Sequence, residues 1–255
     1  MIFDSHMHTK FSADSQMTAA AALARAKELD LGVVFTEHFD YGLELYGKKF
    51  AFDPAAYMNK YKNLRSENVR LGVEVGLRKS ARAANADFLT QADFDLVIGS
   101  IHLVDDMDIY YPDFYADKDK ETAYRKYFEQ MAEEAAVADY DVLGHIDYIS
   151  RNAPYDDPEI DYPTFAAQID KVLSIVVERD KILEINTRRF YSNYSIAMLV
   201  PIFKKYLELG GRYVTIGSDA HNVATIGSYF DRALRFVKEF DLIPVTFCER
   251  NLELS

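Results

Sequence analysis

Short runs of Val, Ile, Leu and Phe alternate along the chain with longer segments whose apolar residues recur at helical spacing. The runs that read as strands are Ile2–Ser5, Gly32–Thr36, Leu71–Val75, Leu96–Ser100, Val142–His145, Ile182–Asn186 and Tyr213–Ser218, with Ile243–Phe247 as a short last one. Their nearly continuous apolar character is that of strands buried on both faces of a parallel sheet. Between them Thr18–Leu29, Pro54–Arg65, Ser80–Gln91, Lys120–Val137, Pro163–Glu178, Ile196–Leu209 and Tyr229–Phe240 read as helices. Thr18 is placed to cap the first of these. Pro54 stands where a first helical turn tolerates proline. Leu209-Gly210-Gly211 marks a helix stop before the next strand.

About seven strand–helix alternations fit either a doubly wound open sheet or a closed parallel barrel. An open sheet gathers ligands at one switch point, fed by a few strands. A barrel collects them from the ends of nearly all its strands. Here the polar residues decide. All six histidines of the chain stand directly after an apolar run, or one or two residues beyond it: His6 and His8, His38, His102, His145 and His221. Glu74 and Asp219 occupy the same kind of position. This distribution over the strand ends, from first to last, favours a barrel, with fewer than eight strands allowed.

Neutral imidazoles and carboxylates brought together are the usual ligands of Zn²⁺, Mn²⁺ or Fe²⁺. His6 and His8 form an H-x-H pair whose side chains alternation sends to one side of an extended chain. Glu74 interrupts an apolar strand, and a buried carboxylate needs a cation, either an arginine or a pair of metals that it bridges. His102 and His145 follow buried strands, in G-S-I-His102 and L-G-His145. Asp219 and His221 close the set in G-S-D-A-H, where the other reading of Asp219 is an Asx-turn. Asp14 is either a further ligand or, with Ser15, a cap for the next helix. Asp4, Glu37 and Asp147 stand beside histidines as outer partners or caps.

Composition narrows the function further. The 255 residues are 49% hydrophobic, with no linker, repeat or low-complexity tract, and so read as one domain spanning 1–255. A formal charge of −12 argues against nucleic acid as the main partner, although it leaves room for a small phosphate ester in a locally basic pocket. The one cysteine, Cys248, forms no intrachain disulfide and reads as a small buried hydrophobe. No secretory signal and no membrane-spanning run are seen, so a cytoplasmic protein is expected.

The ordered motifs give a family resemblance. D-S-His6-M-His8-T, T-E-His38, the lone Glu74, S-I-His102, G-His145 and S-D-A-His221 resemble, in order and spacing, the polymerase-and-histidinol-phosphatase (PHP) superfamily. Within it the chain is most similar to the monofunctional histidinol-phosphate phosphatases, through F-S-A-Asp14-S, G-His145-I-D-Y-I-S-Arg151 and L-E-I-N-T. The resemblance implies an α/β fold, a distorted TIM-like (β/α)7 barrel, with three divalent metal ions (Zn, Mn or Fe). By it, the ligands are His6, His8, Asp14, His38, Glu74, His102, His145, Asp219 and His221. Many relatives carry a histidine near the place of Asp14. The implied reaction is hydrolysis of L-histidinol phosphate to L-histidinol and phosphate.

A phosphate monoester carries nearly two negative charges, so arginines are expected beside the ions. Arg151, after the His145 strand, and Arg188, after I-L-E-I-N, are the preferred phosphate ligands, with Arg189 the alternative. Tyr110 and Tyr111, in the loop after His102, are candidates to stack on or hydrogen-bond the substrate. The expected mechanism is in-line attack by metal-bound hydroxide. Arg151 and Arg188 would stabilise the transition state, and His38, Asp219 or a metal-bound water would assist the leaving group. The competing readings are a PHP nuclease or nucleotide phosphatase, a phosphotyrosine phosphatase, and a non-catalytic metal-binding protein.

Overall fold

Seven parallel strands follow one another around a ring in chain order: β1 (Phe3–Met7), β2 (Gly32–Phe39), β3 (Val69–Gly76), β4 (Val97–Ser100), β5 (Val142–Leu143), β6 (Ile182–Asn186) and β7 (Tyr213–Gly217). The computed structural model describes residues 1–255. Helices α1 (Ala19–Glu28), α2 (Pro54–Tyr61), α3 (Arg82–Leu89), α4 (Lys120–Ala135), α5 (Tyr162–Glu178), α6 (Asn193–Glu208) and α7 (Phe230–Glu239) connect them. The ring closes between β1 and β7 only near their C-terminal ends. There Met7 bridges Ala220, His8 N donates to Ala220 O at 2.8 Å, and Asp219 N donates to His6 O at 2.8 Å. At the other end β8 (Ile243–Cys248) pairs with the start of β7 and folds back on β9 (Asn251–Leu254). The expected (β/α)7 barrel is therefore the fold, distorted by incomplete closure.

Several element ends differ from the sequence reading. β1 runs on through His6, and β2 through His38, because parallel pairing continues past the apolar residues. Register opposes His38 directly to Glu74. β5 stops at Leu143, short of His145. Lys62–Leu64, expected as the end of α2, is a 3₁₀ turn instead, and β9 was not expected at all. Thr18 does cap α1, accepting from Ala21 N.

The barrel interior has three layers. Phe3, Val34, Ile98, Val142 and Ile182 meet Val245 and Phe247 of β8 in a small apolar cluster. Two residues further along the same strand faces come Thr36, Ser100, Gly144 and Glu184, and beyond them the ligand-type side chains. In β1 an extra residue lies between Asp4 and Met7 relative to β2. Such a bulge shifts the alternation, so that Phe3 and His6 both enter the interior despite their odd spacing.

Candidate metal centre

Glu74 sits at the middle of the upper layer with no exposure to solvent. Its Oε2 lies 3.2 Å from His6 Nε2, 3.6 Å from His8 Nε2 and 2.9 Å from His38 Nδ1. Its Oε1 lies 3.2 Å from His102 Nε2 and 2.9 Å from His145 Nε2, and accepts from Ser100 Oγ at 2.6 Å. Asp219 Oδ1 stands 3.4 Å from His8 Nε2 and 3.9 Å from His6 Nε2. On the more open side, Asp14 Oδ2 lies 3.1 Å from His221 Nε2 and 3.5 Å from His38 Nε2. All nine predicted ligands thus converge on one site, drawn from stretches as distant as residues 6 and 221.

Two observations fit these donors to divalent cations. First, His6 Nε2, His8 Nε2, His38 Nδ1 and Glu74 Oε2 are buried without a hydrogen-bond partner. Buried polar atoms left alone are costly and rare, so their convergence on one point calls for a shared partner. Second, ligands bound to one zinc at tetrahedral angles stand roughly 3.3–3.6 Å apart, close to the spacing of His6, His8, Glu74 and Asp219. Four groupings have mutually close donor atoms: His6, His8 and Asp219; His6, Glu74 and His145; His38, Glu74 and His102; and His8, His38 and His221.

Electrostatics agrees. Burial works against a charge on His102, yet Asp40 and Glu74 push its imidazole up to about 10. Burial and the neighbouring His38 and His221 hold His8 well below its ordinary value. His6 and His38 are raised as well and His145 is lowered, so protons alone leave the cluster unevenly charged. Divalent ions replace such protons when they bind.

Three of the ring nitrogens facing away from the centre are held in place, whereas His145 Nδ1 is buried without a partner. His8 Nδ1 pairs with Ser12 Oγ at 3.0 Å, His102 Nδ1 with Asp40 at 3.0 Å and His6 Nδ1 with Glu184 at 2.7 Å. Such partners fix tautomer and ring orientation. Glu37 acts at one remove: it accepts from the N–H and hydroxyl groups of Thr9 and Ser12, and so holds the loop that supports His8. Asp4 instead accepts from Ser218 and Gly227, pinning the loop after β7. Asp219 itself adopts a left-handed φ of 53°, which Asp tolerates better than most residues.

The arginines separate. Arg151 donates to Asp219 Oδ2 at 2.7 Å and to Asn186 Oδ1 at 2.9 Å, and its guanidinium lies over Tyr148. Arg188 has a half-exposed side chain and donates to the Asp219 carbonyl at 2.9 Å, beside His221. Arg189, the alternative phosphate ligand, turns away: its buried guanidinium pairs with Asp147, Glu159 and Ser195. Carboxylates that the sequence left without partners draw it inward. Asp147 is thereby an ion-pair partner rather than a support for His145. Tyr111 lines a cleft of about 450 Å³ with Tyr46, Asp108 and Phe114. Tyr110 does not line that cleft; it is half exposed and packs edge-on against Tyr111.

Sequence reasoning missed Glu184, Asp40, Ser12 and Asn186. Glu184 carried the signal that singled out Glu74, a lone acid in an apolar strand. The other three lie beside ligands in sequence but look like ordinary loop or cap residues.

Comparison with known proteins places these features among relatives. The PHP domain family model matches residues 4–188. A probable histidinol-phosphatase of Clostridium acetobutylicum is 41% identical over 256 residues, covering 100% of both chains. A histidinol-phosphatase of Lactococcus lactis is 30% identical over 226 residues, covering 86% of this chain and 83% of that one. A crystal structure of histidinol phosphate phosphatase from Lactococcus lactis, complexed with zinc, L-histidinol and phosphate, matches with a TM-score of 0.90 and 27% identity. That match covers 99% of this chain and 98% of the other.

Proposed function

The chain belongs to the PHP domain family, and from that premise we propose that it is a metal-dependent phosphomonoester hydrolase converting L-histidinol phosphate into L-histidinol and phosphate. The observation that carries the reading is the convergence of six imidazoles, Glu74, Asp219 and Asp14 beside two arginines, with buried donor atoms lacking any other partner. The alcohol half of the substrate is supported by the relatives, one of which was crystallised with L-histidinol and phosphate.

His6, His8, Glu74 and Asp219 would hold one ion, Glu74, His102 and His145 a second, and Asp14, His38 and His221 a third. Such ions, zinc, manganese or iron, supply Lewis-acid charge and bring the pKa of water toward neutrality. The chain's own residues do the positioning. Arg151 is fixed by Asp219 and Asn186, so a cation stands ready where the phosphoryl oxygens develop charge. Arg188, on the open side with Asp14 and His221, has the freedom to turn onto the incoming phosphate. Asp219, paired with Arg151 and facing His8, and His38, beside Asp14 and Glu74, are the candidates for assisting the leaving alkoxide.

The test is phosphate release from L-histidinol phosphate, a nucleoside monophosphate and phosphotyrosine. We expect L-histidinol phosphate to give the highest kcat/KM. Faster turnover of the nucleotide or of phosphotyrosine would reassign the substrate. Metal binding with no turnover of any ester would make the chain a binding protein.

A further inference from the structure

We propose that Glu184 and Asn186, two positions apart on β6, form one hydrogen-bonded bracket that positions ligand imidazoles and the phosphate-facing arginine together. The inference rests on the metal-dependent reading above. Glu184 is 2% exposed and has no role in the ligand set. Its Oε1 lies 2.7 Å from His6 Nδ1, and its Oε2 accepts from the backbone N of His145 at 2.7 Å and from Asn186 Nδ2 at 3.2 Å. All three partners are donors. His6 must carry its proton on Nδ1 if Nε2 is to offer a lone pair toward Glu74 and Asp219, and the other two are N–H groups. Both carboxylate oxygens of Glu184 are thus engaged, Oε1 by one group and Oε2 by two.

Asn186 passes the constraint on. With Nδ2 turned to Glu184, its Oδ1 accepts from Arg151 Nη2 at 2.9 Å and from Arg188 N at 3.2 Å. Arg151 in turn donates to Asp219. Hydrogen bonds thus run from His6 through Glu184, Asn186 and Arg151 to Asp219, whose other oxygen lies 3.9 Å from His6 Nε2. The neighbouring strand leaves room for this arrangement. A Cβ on Gly217 would collide with the Glu184 carboxylate and with His6 Cβ. Both bracket residues are positioning residues, acting through the groups they hold.

The test uses the full chain, stripped of metal and titrated with Zn²⁺ in a metal buffer, alongside the inhibition constant for inorganic phosphate. Glu184→Gln sets an amide donor against another donor and should weaken Zn²⁺ affinity about 10–100-fold. Asn186→Ala should raise the phosphate inhibition constant and lower kcat/KM, through a loosened Arg151. If Glu184→Gln does not fold, Asn186→Ala alone decides. Lowered thermal midpoints with wild-type Zn²⁺ affinity and phosphate inhibition would assign both residues to packing and overturn the proposal. Absence of Zn²⁺ binding in the wild type would instead sink the functional reading beneath it.

Discussion

Arg151 donates to one oxygen of Asp219 at 2.7 Å, while the other oxygen of that carboxylate faces His8 Nε2 at 3.4 Å. One acid therefore ties a fixed cation to the imidazole cluster. Charge that is already oriented stabilises a transition state without reorganisation. Arg151→Ala is expected to lower kcat/KM by about 10²–10³-fold, with metal content retained. Steady-state kinetics beside metal analysis checks this, and unchanged kinetics removes Arg151 from the account.

Arg188 presents a contrast. Its side chain is half exposed, so it is less constrained before substrate arrives. Its contact with phosphate would form in the ground state and persist. Arg188→Ala should raise KM about tenfold, equivalent to about 1.4 kcal/mol, with a smaller effect on kcat. A fall in kcat at constant KM would place Arg188 at the transition state alone.

Gly76 supports His102 from behind. A Cβ there would overlap the Asp40 carboxylate, whose oxygens lie 3.0 and 3.1 Å from His102 Nδ1. Gly76→Ala should cost about 1–3 kcal/mol through overpacking, and weaken metal binding as His102 loses its support. Thermal melts and a Zn²⁺ titration read the two effects. Wild-type metal affinity in a destabilised variant would deny Asp40 its orienting role.

Far from the centre, Arg250 at the β8–β9 turn pairs with Asp139 at 2.7 and 2.8 Å. That hydrogen-bonded guanidinium holds the Asp139 carboxyl below its ordinary 3.8. A depressed folded pKa contributes stability above the unfolded value, which is lost as pH falls through the folded one. Asp139 is largely exposed, so the contribution is about 0.2–1 kcal/mol. Asp139→Asn should lower the thermal midpoint slightly at pH 7, and the gap should narrow in acid, as the pH falls below the ordinary 3.8. A gap of equal size at both pH values would show that charge is not its source.

The barrel was legible because buried parallel strands write themselves as apolar runs, and the convergence of the candidate ligands because they interrupt or end those runs. His38 shows where the signal blurs. Polarity suggested that β2 ended at Thr36, yet backbone pairing carries it past His38, into register with Glu74. Arg189 was ambiguous because its partners Asp147 and Glu159 lie far from it in sequence and meet it only in the fold. Glu184 was missed although it interrupts an apolar strand as Glu74 does, since the bulge that brings His6 inward to meet it is set by pairing geometry rather than by composition. No helix is long and apolar enough to cross a membrane.

The central claim is that divalent ions held by these histidines and carboxylates enable phosphate-ester hydrolysis. The most direct measurement is phosphate release from L-histidinol phosphate by protein stripped with a chelator, before and after Zn²⁺ or Mn²⁺ is restored. The account predicts loss of turnover on stripping and recovery on adding metal. Undiminished turnover in protein verified to be free of metal would contradict it.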